Sequence, residues 1–326
     1  MDKSSGDPIM LWLLEGDPAI RWQVLRDLAD APRSIWEAER QRVKAKGWGA
    51  TLLQEQDAEG TWGHSLYGRP RWTCTTYTLL LLRDMGLPQD CGPAIRGSRV
   101  LLDRGIQNGL TARGKSKLLA SLQRNDTCVI GMWLSVATYF QVEDSKLDAI
   151  AEYLLSEQMP DGGWNCKRRK KGAVHSSFHT TLNVLDGVRD AIARGIGPVS
   201  RLKTAEARAI DFMLMHHLFL SDKTGQVIKD EFTKFSFPPR WHYDVLRGLD
   251  YLSSAGASGD ERLNEAYSLL LGNRRKDGRW LLQNKHPGKV FFEMERAGQP
   301  SRWNTLRALR CLRRRPSAVS DEFQPL

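Results

Sequence analysis

Long apolar runs are the first thing this sequence lacks. No stretch of 18 apolar residues occurs in its 326 residues, which excludes a membrane-spanning helix at the level of sequence. The apolar run before Glu15 is too short for the core of a signal peptide, so a cytoplasmic location is expected. No segment alternates apolar and polar residues as a half-buried strand would. Pro- and Ser-rich linkers are missing as well. A single domain over 1–312 is therefore expected, followed by a charged, frayed tail at 313–326. Cysteine is scarce: Cys74, Cys91, Cys128, Cys166 and Cys311 are odd in number and irregularly spaced. That pattern speaks against a disulfide framework and leaves core residues or metal ligands.

Positive charge is in surplus. The formal net charge is +10 and the pI about 9.5, which favours anionic partners such as diphosphate esters or anionic lipid. The basic residues cluster at 113–117, 167–171 and 310–315. No nucleic-acid-binding motif accompanies them, which argues against a nucleic-acid role.

What is present is a repeat. The stretch from Leu154 to Val188 reads as a helix end closing at Gln158, a Gly-rich turn at Asp161-Gly162-Gly163 that delivers Trp164, and a short basic loop. A second helix then begins near His175 or Ser176, with Leu182, Leu185 and Val188 on one face. The same unit recurs at Leu52–Gly63 with Trp62, and at Leu269–Trp280 with Trp280. Degenerate copies without the Trp turn lie between them, at Leu118–Phe140 and Phe219–Leu252. A fragment beginning at Asp17-Pro18, a cap followed by a first-turn proline, supplies another second helix. Self-similarity at a fixed module size marks a repeat architecture, here five to six helical hairpins.

The turn tryptophans are expected to be structural, each burying a large ring and offering its indole N–H to a carbonyl of the next unit. Helices after a turn (Trp72–Met85, Thr127–Phe140, His179–Val188) are more apolar than those before it. A closed ring of hairpins explains the difference, with the apolar helices inside. The expected fold is therefore all-α, an α/α toroid (α/α barrel), whose inner helices would surround a cavity suited to an apolar ligand.

The turn motif, Gln158 to Trp164 and its weaker forms QEQDAEGTW and NRRKDGRW, resembles the repeat of the terpenoid cyclase and protein prenyltransferase superfamily, the squalene cyclase repeat proteins included. The resemblance covers nearly the whole chain and implies a single toroid. Class II cyclases of that family protonate their substrate with an Asp of a D-x-D-D motif. None occurs here, which argues against that mechanism. The prenyltransferase β subunits bind zinc through D-x-C at one inner helix start and His-Thr at a later one. Asp126-Thr127-Cys128 and His179-Thr180 match those positions, so the resemblance implies zinc held by Asp126, Cys128 and His179, with Cys166 and His175 as alternatives.

Carboxylate, thiolate and imidazole are all zinc ligands, and an N/S-rich set favours zinc over magnesium or calcium. On one helix His175 and His179, spaced i, i+4, would share a face. The competing reading is that Asp126 caps its helix and Cys128 fills core. Arg124, Lys115 and Lys117 lie near enough in sequence to attract a diphosphate, although not at the family's matching places, and Phe178 stands where the family has Tyr. The implied activity is that of a zinc-dependent, prenyltransferase-like or terpene-processing enzyme acting on an isoprenoid or isoprenyl diphosphate. The alternative is a non-catalytic toroid that binds a lipid, a peptide or a helical protein partner.

Overall fold

The computed structural model describes residues 7–112, 114 and 116–316. The helices are α1 (Pro8–Leu14), α2 (Pro18–Asp27), α3 (Arg33–Gln41), α4 (Gly47–Gln54), α5 (Thr75–Asp84), α6 (Gly92–Gly105), α7 (Lys117–Arg124) and α8 (Thr127–Tyr139). They continue as α9 (Lys146–Glu157), α10 (Lys167–Lys171), α11 (Phe178–Arg194), α12 (Val199–Met215), α13 (Val245–Ser254), α14 (Asn264–Gly272) and α15 (Arg302–Arg313). Among the described residues β-pairing is confined to isolated bridges, and the class is all-α. Helix α8 packs against α9 and α11, and α13 packs against α14 and α15.

Helix ends follow local chemistry. Asp17 caps α2 by accepting from the Ala19 N–H at 2.9 Å, with Pro18 in the first turn. Asp244 accepts from the Arg247 N–H at 2.9 Å. That cap starts α13 at Val245 rather than at Trp241, where the apolar pattern begins. Likewise α11 starts at Phe178 and not near His175. Helix α12 stops at Met215, so the His216-His217 pair lies beyond it. The basic segment KRRKK, expected as a loop, forms the short helix α10. The tail from 317 onward lies outside the described residues.

The helices group into two units: one holds α1–α3 and α13–α15, the other α5–α11 with most of α4 and α12. In the second unit, α8 is buried along its whole length except at Cys128 and Tyr139, both partly exposed. It runs against α11 at very short range. A Cβ on Gly187 would lie 2.4 Å from the Gly131 carbonyl oxygen, and one on Gly131 would lie 2.7 Å from the Val184 Cα. Only hydrogen fits at these two positions. By contrast α3 buries only Glu39.

Each unit also has an Arg–Asp node that ties three helices. In the second unit, Arg83 of α5 donates to Asp190 of α11 at 2.8 and 3.0 Å, and Ser135 of α8 donates to the same oxygen at 2.9 Å. In the first, Arg310 of α15 forks onto Asp250 of α13 at 2.6 and 2.8 Å and reaches Asp27 of α2 at 2.9 Å. A planar guanidinium matches carboxylates two at a time, which is why Arg occupies both nodes. Part of the basic surplus at 310–315 is thus spent inside the fold.

The three turns share one hydrogen-bond plan. Trp62, Trp164 and Trp280 are fully buried. Each indole N–H donates to the carbonyl ten residues earlier: Leu52 at 2.6 Å, Leu154 at 2.7 Å and Leu270 at 2.7 Å. These carbonyls belong to the last turn of the preceding helix, where no intrahelical partner exists. The tryptophan therefore bonds back into its own unit, not forward into the next one. Its backbone N–H donates to a threonine of the following helix, Thr75, Thr181 or Thr305, at 3.0, 2.9 and 3.1 Å.

The link to the next hairpin comes from the glutamine. Gln158 Nε2 donates to Gly162 O at 2.7 Å and to Ala205 O of α12 at 2.8 Å. Gln56 does the same to Gly60 O at 3.0 Å and Pro93 O of α6 at 2.8 Å. In the third turn Arg274 replaces Gln and reaches Gly278 O at 3.5 Å. The turn glycines Gly60, Gly162 and Gly278 all have positive φ, which favours glycine. A Cβ there would collide with Arg96 of α6, Arg208 of α12 and Ile9 of α1, respectively. Within the first unit, then, α1 occupies against the third turn the place that the following hairpin takes elsewhere.

Candidate functional site

The start of α8 and the segment between Trp164 and α11 bring several of the expected residues together. The Cys128 backbone N–H donates to Cys166 Sγ at 3.3 Å, and the Thr180 hydroxyl donates to the same sulfur at 3.3 Å. Thr180 Oγ1 in turn accepts from the Cys166 N–H at 3.3 Å. Both cysteines are reduced and partly exposed, whereas Cys74, Cys91 and Cys311 are buried. Cys166 owes its position to the turn: it follows Trp164 by two residues, and Trp164 is pinned to Leu154 and Thr181.

The environment separates the two thiols. The hydrogen bond from Cys128, with further donation from Thr180 and the Cys128 N–H, outweighs burial and holds the Cys166 thiol below its ordinary range. That same hydrogen bond and burial push Cys128 well above it. Backbone donors at a helix start favour a thiolate in this way. The result is one sulfur that ionises readily beside one that keeps its proton.

Asp126 is the N-cap residue of α8, but its side chain makes no capping bond. Its Oδ1 accepts from Lys170 of α10 at 2.6 Å instead. Tyr67 lies within electrostatic range of Cys128, Asp126 and Cys166, and the buried Tyr77 is 3.5 Å from it, hydroxyl to hydroxyl. Burial raises the Tyr77 phenol far above its ordinary value and keeps it neutral. Sequence reasoning passed over Tyr67, Tyr77 and Lys170 because each comes from a different element. Thr180, next to His179 in the motif, was the one signal available.

The remaining candidates scatter. His179 is half-buried at the second position of α11, and its carbonyl accepts from Asn183 at 2.6 Å. His175 precedes that helix and is exposed, with its carbonyl accepting from Asn165 at 2.7 Å. The two histidines therefore do not share a helix face. Lys117 and Arg124 are both exposed, at opposite ends of α7, about 10 Å apart along its axis. Lys115 lies outside the described residues. Phe178 packs on Phe212 with ring centroids 5.2 Å apart.

Among the described residues no group of three or more His, Cys, Asp or Glu side chains is placed to hold a metal ion. Asp126 is engaged by Lys170, and Cys166 by Cys128 and Thr180.

A second cluster, in the other unit, has no counterpart in the sequence motifs. Ser236 Oγ donates to Asp244 at 2.7 Å, and His286 Nε2 lies 3.3 Å from the same hydroxyl. The His286 ring stacks on His242 at 3.7 Å, and His242 stacks on Trp241 at 3.8 Å. Burial lowers His286 to about 4, against the raising effect of Asp244, so the imidazole is neutral at physiological pH. Ser236 and Asp244 are both almost fully buried, and the arrangement reads as packing around the cap of α13.

No protein-family model matches the chain, and no curated protein does. Among solved structures it is similar to a protein from Actinoplanes, with 16% identity, 92% of this chain and 90% of that one covered, and a TM-score of 0.42. It is similar to the type II terpene cyclase MstE from Scytonema in its apo form, with 16% identity, coverage of 91% and 87%, and a TM-score of 0.43. A variant of that cyclase in complex with its substrate, geranylgeranyl dihydroxybenzoate, gives 15%, 91% and 86%, and 0.41.

Proposed function

We propose that this chain is a terpenoid-cyclase-like helical toroid that binds an isoprenoid or similar apolar ligand, with its chemistry at the Cys128–Cys166 cluster. The observation that carries the reading is the contrast along α8. Its body is buried throughout, while its first turn presents the partly exposed Cys128 against Cys166 and Thr180. A reactive group placed at the rim of an apolar bundle suits a ligand with a long hydrocarbon body and a polar or reactive head. The exposed bases of α10, Lys167 and Lys171, would favour an anionic head such as a diphosphate. The missing D-x-D-D motif argues against protonation of an alkene or epoxide in the class II manner.

Native mass spectrometry with geranylgeranyl diphosphate tests the proposal. One bound ligand per chain at micromolar concentration is expected, with weaker binding in Lys167→Glu/Lys171→Glu. If neither isoprenyl diphosphates nor uncharged isoprenoids bind, the reading fails in favour of an interaction scaffold. Metal analysis of protein purified without chelator decides the zinc-dependent version. About one zinc per chain, lost in Cys128→Ala or His179→Ala, would support it, and zinc near zero removes it.

A further inference from the structure

The geometry points to a thiol–disulfide exchange site at Cys128 and Cys166: Cys166 attacks a small disulfide of the glutathione class, and Cys128 resolves the adduct into an intramolecular disulfide. The pair has the parts this chemistry needs. The Cys128 N–H lies against Cys166 Sγ at 3.3 Å, which sets the two cysteines side by side although they come from elements 38 residues apart in sequence. Both residues are partly exposed, so a small disulfide can reach them, while the other three cysteines are buried. The Thr180 hydroxyl and the Cys128 N–H converge on Cys166 Sγ, each at 3.3 Å. That fixes which sulfur is presented as nucleophile and which stands behind it.

The exchange balances in two steps. The Cys166 sulfur attacks one sulfur of the small disulfide, forming a mixed disulfide and expelling one thiolate, which takes up the proton that Cys166 gave to solvent. The Cys128 sulfur then attacks Cys166 Sγ, breaking the mixed disulfide and releasing the second small thiol with the Cys128 proton. Overall, two protein thiols are oxidised to one disulfide and the small disulfide is reduced to two thiols. The product ties the first turn of α8 to the residue that begins α10. It would also remove both sulfurs from any other chemistry at the site, so the exchange would act on the same atoms as the proposed function without depending on it.

The test is incubation of the reduced, folded full-length chain with oxidised glutathione, followed by intact-mass and peptide mapping under non-reducing conditions. The expected product has lost two hydrogens, carries no glutathione, and contains one cross-link, Cys128 to Cys166. In Cys128→Ser the glutathione adduct should stop at Cys166. In Cys166→Ser, Cys128 should stay unmodified over the same time. A wild-type chain that keeps five free thiols overturns the proposal, as does a stable adduct on Cys128 or a cross-link to Cys74, Cys91 or Cys311. Circular dichroism of both variants shows whether each is folded. If a serine variant is not, the wild-type cross-link alone decides, because it needs no substitution. Ligand binding measured on the reduced protein is a separate readout, so failure here leaves the isoprenoid reading standing and failure there leaves this one.

Discussion

Gln158 holds Ala205. One side-chain amide closes its own turn through Gly162 O at 2.7 Å and grips the following helix α12 through Ala205 O at 2.8 Å. Gln158→Ala should cost about 1–2 kcal/mol, the scale for losing partly buried hydrogen bonds. Trp164→Ala should cost more, about 3–5 kcal/mol, because a fully buried ring is replaced by a cavity. Urea titrations of both variants check the ranking. Equal stabilities of Gln158→Ala and wild type would remove the stapling role.

Helix contact sets a second expectation. A methyl on Gly187 meets the Gly131 carbonyl oxygen at 2.4 Å, backbone against backbone, whereas one on Gly272 meets nothing within 4 Å. Gly187→Ala should destabilise by about 1–3 kcal/mol through overpacking between α8 and α11. Gly272→Ala should be neutral or slightly stabilising, since alanine favours the helix. Thermal melts that rank the two the other way round would contradict the close approach.

Acid should weaken the Arg310 node. Burial alone would raise Asp250 and Asp27, but for Asp250 the Arg310 charge, and for Asp27 the Arg26 hydrogen bond together with the Arg310 charge, reverse this and leave both carboxyls below 3.8. A folded value below the unfolded one contributes stability that is present above the unfolded value. It is lost as pH falls through the folded value. Arg310→Met leaves two carboxylates without their shared cation and should cost about 3–5 kcal/mol near neutral pH. That penalty should shrink as pH falls below neutral, because without the Arg310 charge burial raises both carboxyls and they protonate more readily. A penalty that stays constant from neutral pH to pH 3 would show that the two carboxylates are not coupled to Arg310.

The two thiols of the cluster should alkylate at different pH. The hydrogen bond from Cys128 keeps Cys166 below the ordinary thiol range and raises Cys128, while burial together with the Asp250 charge drives Cys311 up to about 12. Iodoacetamide near neutral pH should therefore label Cys166 first, and Thr180→Val should slow it by removing a donor to the thiolate. Peptide mapping over a pH series reads the order. Labelling of Cys128 before Cys166 would reverse the assignment.

The repeat was legible because its signals are local. A Gly-x-Trp turn between apolar-periodic segments needs only neighbouring residues to be recognised, and Trp62, Trp164 and Trp280 are all fully buried as their size requires. The direction of each indole bond was not legible. It depends on orphan carbonyls in the helix before the turn, and the sequence pattern suggested a forward link that Gln56 and Gln158 in fact supply. Helix starts were misplaced where a cap overrode apolar periodicity, as at Asp244 before α13.

At the site, the sequence by itself determined which chemical types lie at the start of α8 and after Trp164: a carboxylate, two thiols and a threonine. It could not decide how they pair. Cys128 and Cys166 are 38 residues apart, and their contact exists because α8 and α11 pack through Gly131 and Gly187 while Trp164 anchors the segment that bears Cys166. Lys170 takes Asp126 only because KRRKK coils into α10 beside it. Sequence sets composition and local periodicity; which side chain meets which follows from helix packing, and packing brings Cys166 Sγ against the Cys128 N–H and the Thr180 hydroxyl.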